Sequence, residues 1–368
     1  MTINRREEFR NIANGTAGVP YLTSAWQHLV GHEYGAGEFS SAYVDFVRRW
    51  DWDWVKINPR AVYYSEAWGN VYDENDYGGY VIPKKVKSII ESPVDIGKIG
   101  KLDVAKSAPL IEATEAASLI RNDLPDRGVI QTVFSPLSVL LQIADLPLYP
   151  GDEFSDPADG VTVESFLFEQ PEAAKLALDN IAATLADYAA NLVRPIEDGG
   201  AGLDGIFYAV TGTVSDDYFD AAKYAEYSQP YDQIVLNAIK EANPDAVVLL
   251  HTCRSNSHPE WFDIDGVDVL QWDQFAAGNP GADHEFGHVV PVAGANFSEF
   301  GAPGAVAHGG DDAVELVRRQ VAETLAKRAG KPFLLAPSCT VPTPALDEAF
   351  AVLSNLTVSG DAEFTNAD

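Results

Sequence analysis

Short apolar runs and longer amphipathic stretches alternate along this chain, and the runs come at fairly even intervals. Eight of them read as strands: "VPYLTSAW" (19–26), "DWVKINPR" (53–60), "GVIQTVFSP" (128–136), "DGIFYAV" (204–210), "DAVVLLHTC" (245–253), "VDVLQWD" (267–273), "HVVPVAGAN" (288–296) and "PFLLAPSC" (332–339). They are rich in β-branched and aromatic residues, and most follow Gly, Pro or Asp turn signals. Between them, 172–193 carries apolar residues at three- and four-residue spacing, the period of a helix with one buried face. The segment 311–331 does the same. It starts on acids, ends on Lys and Arg and closes with Gly330, the charge order that a helix dipole favours. Across 217–245 the periodicity is interrupted by Pro230, which predicts two helices there.

Strands alternating with helices make a parallel sheet covered by helices, an α/β fold. Eight is the number that closes a (β/α)8 TIM barrel, expected here as a single domain over 1–360 with a C-terminal tail at 361–368. An open doubly wound sheet with an extra domain is the other arrangement of such a pattern. It ordinarily carries a Gly-rich phosphate loop after its first strand, and "AWQHLVGHEYGAGEF" matches no nucleotide fingerprint.

Composition adds little to this, but charge adds a good deal. Against 25 Lys and Arg stand 55 Asp and Glu, a net charge of −30. Nucleic acid and anionic membrane both require a basic face, so neither is expected as a partner. The expectation is a heavily solvated acidic surface, as in a salt-adapted protein. No apolar run is long enough to span a bilayer. The N-terminal "MTINRREEFRNIANG" is charged and lacks the apolar stretch of a signal peptide. The expected location is the cytoplasm, where cysteines are more often metal ligands or nucleophiles than disulfides.

In a barrel, functional residues sit at the C-terminal ends of strands. Those ends carry Trp26 and His28, Asn58 and Arg60, Ser135, Tyr208, His251 and Cys253, Asp273, Asn296, and Cys339. The chain has only two cysteines, and both close a strand. Residues two apart in an extended segment face the same side, so His251 and Cys253 can face one ion. Thiolate plus imidazole favours Zn(II) in tetrahedral geometry. Three protein ligands leave one exchangeable position, as in catalytic zinc sites. Structural sites commonly take four ligands from paired CxxC knuckles, which are absent here. The alternative for these residues is a satisfied core histidine and two small buried apolar side chains.

In chain order, "VVLLHTCRSN", "GVDVLQWD", "PVAGANFSEF" and "PFLLAPSCTVPTPALDEAF" resemble the uroporphyrinogen decarboxylase superfamily, and the resemblance extends over nearly the whole chain. It implies a (β/α)8 barrel with its cleft at the C-terminal rim. That superfamily includes decarboxylases and also zinc-dependent methyltransferases that act on corrinoid proteins and thiols. The methyltransferase branch carries His-x-Cys after one strand and a distant Cys after the last, a pattern that His251, Cys253 and Cys339 match. The resemblance therefore implies Zn(II) as cofactor, a small-molecule thiol or methyl donor as substrate, and a corrinoid carried by a partner protein. It also implies a displaceable carboxylate ligand, for which Asp273 is the candidate. His28, placed for general-base work, and Tyr208 are the other catalytic candidates. Trp26, Asn58, Arg60 and Asn296 are candidates for substrate contact, and Trp26, Trp54, Tyr63, Tyr64 and Trp68 for an apolar pocket.

A decarboxylase is the alternative within the same resemblance. It calls for an Arg-rich segment after the first strand, where this chain has "SAWQHLVGHEYGAGEFS" with no arginine. Its second-strand acid falls on Trp54, with Asp53 pointing to the other face, and Cys339 stands in place of its late-strand histidine. Overall acidity is also expected to repel a polycarboxylate tetrapyrrole. A non-catalytic barrel that keeps a structural zinc is the alternative of another class.

The charge excess generates the first prediction. Self-repulsion in the compact state is screened by salt, the Debye length falling from about 10 Å at 0.1 M to about 3 Å at 1 M. The melting temperature is expected to rise with potassium chloride over that range. A flat or falling curve in a calorimetric salt series would show that the acids are already compensated.

Overall fold

The computed structural model describes residues 3–152, 155–262, 266–301 and 313–358, so the tail expected at 361–368 lies outside the described residues. All eight expected strands form. In chain order the strands are β1 (Tyr21–Thr23), β2 (Trp54–Ile57), β3 (Val71–Asp73), β4 (Lys84–Lys87), β5 (Gly128–Phe134) and β6 (Gly205–Ala209). They continue with β7 (Val247–His251), β8 (Val269–Gln271), β9 (Val290–Ala293) and β10 (Phe333–Leu335). Eight of them make one sheet in the order β1-β10-β9-β8-β7-β6-β5-β2, and every pairing is parallel. The sheet curls into a nearly closed (β/α)8 barrel. The antiparallel hairpin β3–β4 lies outside it and was not expected. Its strands are short, charged and mostly exposed, so they lack the apolar alternation that marks a strand in sequence.

The seam between β1 and β2 is closed by one aspartate. Asp53 N–H donates to Thr23 O at 2.9 Å. In return, the Thr23 N–H and hydroxyl donate to Asp53 Oδ2 at 2.9 and 3.0 Å. The same carboxylate accepts from Val358 N–H and faces Arg5 Nε at 3.0 Å. Burial outweighs these contacts and pushes its pKa up to about 6.

Side-chain alternation then sorts the strand residues. One set faces inward, including Leu22, Trp54, Ile130, Phe207, Leu249, Val292 and Leu334, and packs as the barrel interior. The alternate set, including Val55, Val133, Ile206, Tyr208, Leu250 and Leu335, packs with the helices. Helix α1 (Arg5–Ala13) adds Phe9 and Ile12 to the interior cluster. Gly128 admits it: a Cβ there would stand 2.3 Å from the Phe9 ring.

The outer helices are α2 (Ala36–Trp50), α3 (Tyr63–Trp68), α4 (Ala108–Asp123), α5 (Pro136–Ile143), α6 (Pro171–Val193), α7 (Ala221–Tyr227), α8 (Gln229–Ala242), α9 (Ala313–Lys327) and α10 (Asp347–Ser354). The expected helix at 172–193 is α6, and 311–331 contains α9. The expected break in 217–245 falls at Ser228 between α7 and α8. Pro230 sits in the first turn of α8, where its missing N–H costs nothing.

The alternation corrects one site expectation. Tyr208 is fully buried on the outer face of β6, away from the rim, and its hydroxyl donates to Asp232 Oδ1 at 2.6 Å. Asp232 also accepts from Ser228 Oγ at 2.9 Å and Tyr224 Oη at 3.3 Å. The pair fastens α7 and α8 to the barrel, on the face opposite its interior.

Burial pushes the pKa of Asp232 from 3.8 up to about 7. The folded state therefore holds this proton more tightly than the unfolded chain does. That contribution to stability is complete below about pH 4 and is lost as pH rises through about 7. Urea titrations across this range are expected to show wild-type stability falling with pH, and Asp232→Asn losing part of that slope. Equal slopes in the two proteins would contradict the buried-proton assignment.

Candidate functional site

A cavity of about 660 Å³ opens at the C-terminal rim of the barrel. Its walls come from the inward positions at the ends of β1, β2, β5, β6, β7 and β10. The β3–β4 connection, through Tyr80, Val81 and Ile82, and the loop around Tyr149 complete them. Aromatic rings form the lower wall. Trp26 lies 5.8 Å from Trp54 and 5.7 Å from Phe207, and Phe207 lies 5.0 Å from the His251 ring.

His251, Cys253 and Cys339 converge on this cavity. Inward alternation carries His251 at the end of β7 and Cys253 two residues later to the same side. The barrel brings Cys339, following β10, against them. His251 Nε2 stands 2.7 Å from Cys253 Sγ and 3.8 Å from Cys339 Sγ, and the two sulfurs are 3.7 Å apart. Donors bound at about 2.3 Å (S) and 2.0–2.1 Å (N) around a tetrahedral centre stand roughly 3.5–3.8 Å from one another. Two of the three edges have that length, and the His251–Cys253 edge is contracted. Two soft sulfurs and one imidazole on a cavity wall fit a zinc ion with a position left for a further ligand. Cys253, bonded to Cys339, is held well above its ordinary pKa. Cys339 accepts that bond and one from His251, and is held well below.

Asp273, expected as a displaceable ligand, is not in this group. Its Oδ1 accepts from Phe275 N–H at 3.1 Å, and burial raises its pKa. It is a neighbour of Cys339 that does not line the cavity.

Trp26, His28, Asn58 and Arg60 do line it, as expected. His28 Nδ1 is tied to the buried Glu33 at 2.8 Å, and Trp26 Nε1 donates to Thr340 Oγ1 at 3.1 Å. Arg60 is committed elsewhere: its guanidinium lies between Glu66, at 2.6 Å, and Glu112, over the Tyr34 ring. Asn296 is not at the cavity. Its side chain accepts from Ser298 N–H at 3.1 Å and starts the turn Phe297–Phe300. Of the expected aromatic lining, Tyr63 and Tyr64 are present. Trp54 lies below the floor and Trp68 donates to Gly100 O, outside the cavity.

The residues not singled out beforehand as binding groups are Lys56, Tyr149 and Arg254. Lys56 shares the inward alternation of Trp54 and Asn58, and that signal was present in the sequence. Its neighbours are Trp26 and Phe207, and burial pulls its pKa down to about 7. The Arg254 guanidinium stacks 3.8 Å from the centre of the Tyr149 ring, at a left-handed φ of 75°. No loop pattern announced that pairing. In a chain of net charge −30, none of the lining residues is Asp or Glu.

A family model described as Uroporphyrinogen decarboxylase (URO-D) matches residues 40–356. A methyltransferase from Methanosarcina mazei has a similar fold, with a TM-score of 0.64 at 16% identity over 96% of this chain and 98% of that one. Uroporphyrinogen decarboxylases of Prochlorococcus marinus strains NATL1A and NATL2A are each 27% identical over 111 residues, 30% of this chain. That match spans 29% of the length of these curated relatives. With the family model matched across the barrel strands from β2 to β10, the chain belongs to the uroporphyrinogen decarboxylase (URO-D) family.

Proposed function

We propose that this protein is a zinc-dependent methyltransferase that moves a methyl group from a corrinoid, carried by a partner protein, to a small thiol. The observation that carries this reading is the convergence of His251, Cys253 and Cys339 on the wall of one cavity. These three residues would hold the ion. Zinc bound there supplies Lewis acidity that lets a thiol, ordinarily near pKa 8.5, react as a thiolate at neutral pH. Aromatic rings form the wall below the sulfurs, and a methyl donor would enter the cavity from the rim. In the step itself, the acceptor sulfur forms a new bond to the methyl carbon. The bond from that carbon to its donor breaks, and the electron pair stays on the donor. His28, held by Glu33 at the cavity edge, takes the thiol proton.

The carboxy-lyase alternative draws on one feature the sequence reading did not anticipate, the acid-free cavity wall. General repulsion of a polyanion by the protein's net charge does not reach that wall. Against it, the segment after β1 supplies no arginine, and Arg60 is already paired with two carboxylates.

Metal analysis of zinc-replete protein is expected to find about one zinc per chain. Cys253→Ser and Cys339→Ser should each lose most of it, because hydroxyl oxygen replaces thiolate poorly. Methyl transfer from methylcobalamin to a thiol, followed by absorbance and by product mass, should disappear in both variants. Asp273→Ala should keep its zinc, since its carboxylate is not in the donor group. Uroporphyrinogen should not turn over. A cysteine variant with full activity and no zinc would end the methyltransferase reading, whereas variants that unfold would favour a structural zinc.

A further inference from the structure

Lys56 is a costly residue in an unusual place. It is 3% exposed and points into the barrel, where its ladder partners Ile130, Gly205 and Val247 carry no charge. Its ammonium has three donors. One goes to Asn58 Oδ1 at 2.6 Å, and the group otherwise meets ring faces, 5.0 Å from the centre of Trp26 and 4.5 Å from that of Phe207. No carboxylate among the described residues lines the cavity beside it. A buried charge this poorly compensated is unfavourable, and an apolar side chain of similar size would fit the interior better. A negative charge arriving in the cavity would relieve it.

The Phe207 ring is a neighbour of both Lys56, at 4.5 Å, and the imidazole of His251, at 5.0 Å. Lys56, Cys253 and Cys339 line the same cavity. Asn58 Nδ2 is also buried at the cavity with no protein partner among the described residues, so the Lys56–Asn58 pair offers unspent donors on that wall. Arg254, the other Lys or Arg of the described cavity lining with no ion pair to a carboxylate, is stacked on Tyr149 and half-exposed, so solvent screens it more.

We infer that Lys56, fixed by Asn58, is the counter-charge for the acceptor sulfur: it balances the negative charge that arrives when a thiolate joins the His251–Cys253–Cys339 site. This rests on the metal-and-thiol reading above. Two thiolates already cancel the charge of a divalent ion, so a third anionic sulfur leaves an excess negative charge inside the barrel. Lys56 supplies the missing positive charge without bonding to the metal. It is a positioning residue, one that makes the site select an anionic ligand over a neutral one.

The test uses protein loaded with Co(II), whose thiolate charge-transfer absorption reports sulfur binding directly. The probes are β-mercaptoethanol, which carries no other charge, and neutral imidazole. Lys56→Met and Lys56→Gln are expected to fold, since each removes a buried charge, and to bind the same amount of cobalt as wild type. Their affinity for the thiol should fall on the order of ten- to a hundredfold, with imidazole affinity unchanged. Equal thiol affinity in all three proteins would overturn the inference. So would a parallel loss of imidazole binding, which marks a structural role, or full retention in Lys56→Gln alone, which marks a hydrogen bond and not a charge. Should both variants unfold, wild-type cobalt protein decides: a charge-selecting site binds β-mercaptoethanol more tightly than imidazole at neutral pH, and the reverse order overturns the inference. Failure of wild type to bind cobalt at all would instead remove the metal reading itself.

Discussion

The closure of the barrel at Asp53 is the constraint on which the rest of this structure depends. A parallel sheet of eight strands has two edges, and here β1 and β2 meet through the Asp53 carboxylate and the backbone bond from Asp53 N–H to Thr23 O. The same carboxylate reaches Val358 and Arg5, so one side chain ties the seam to both ends of the described chain. Removing one partner of such a buried pair typically costs about 3–5 kcal/mol. The seam also decides the neighbourhood at the rim. Trp26 and His28 after β1 stand beside Lys56 and Asn58 on β2 and beside Cys339 after β10, three segments far apart in sequence. Without the closure Lys56 and Asn58 on β2 would stand at the far end of an open sheet from the β1 and β10 residues.

Below the rim the interior is filled by rings. Phe9, Trp54, Trp26 and Phe207 follow one another at centroid separations of 5.7–5.8 Å and end at the imidazole of His251. Large rigid side chains bury much area at little entropic cost, and they leave no small adjustments open to the groups above them. The rings therefore serve two purposes. They make the lower barrel a packed core and orient the imidazole that faces the sulfurs. Gly128 belongs to the same packing, since any side chain there would displace Phe9.

Charge is partitioned between the outside and the cavity. The acids that give the chain its net charge lie on the helices, in loops and in buried structural clusters. One such cluster is Asp204, with Arg6, Arg10 and Arg121 around it. Among the described residues none of them lines the cavity, where Lys56, Arg60 and Arg254 stand with the two cysteines. Net charge is thus a poor guide to the potential inside this barrel, because low-dielectric walls make the nearest groups dominate over distant ones.

The sequence by itself determined the architecture and the His251, Cys253 and Cys339 cluster. Eight apolar runs became eight parallel strands because burial on both faces demands continuous apolar segments. His251 and Cys253 were legible as a pair because extended backbone repeats every two residues, and Cys339 because it closes an equivalent run. The same period, applied to β6, would have turned Tyr208 away from the rim. What only the tertiary structure decided was position across strands. It placed Asp273 just beyond the donor group, committed Arg60 to two glutamates, and set Asn296 to start a turn. It brought the β3–β4 connection, Tyr149 and Arg254 together as a wall, and among the described residues it left no acid lining the cavity. Those outcomes depend on which distant segments meet when the sheet closes, and a local pattern of apolar and polar residues carries no record of that.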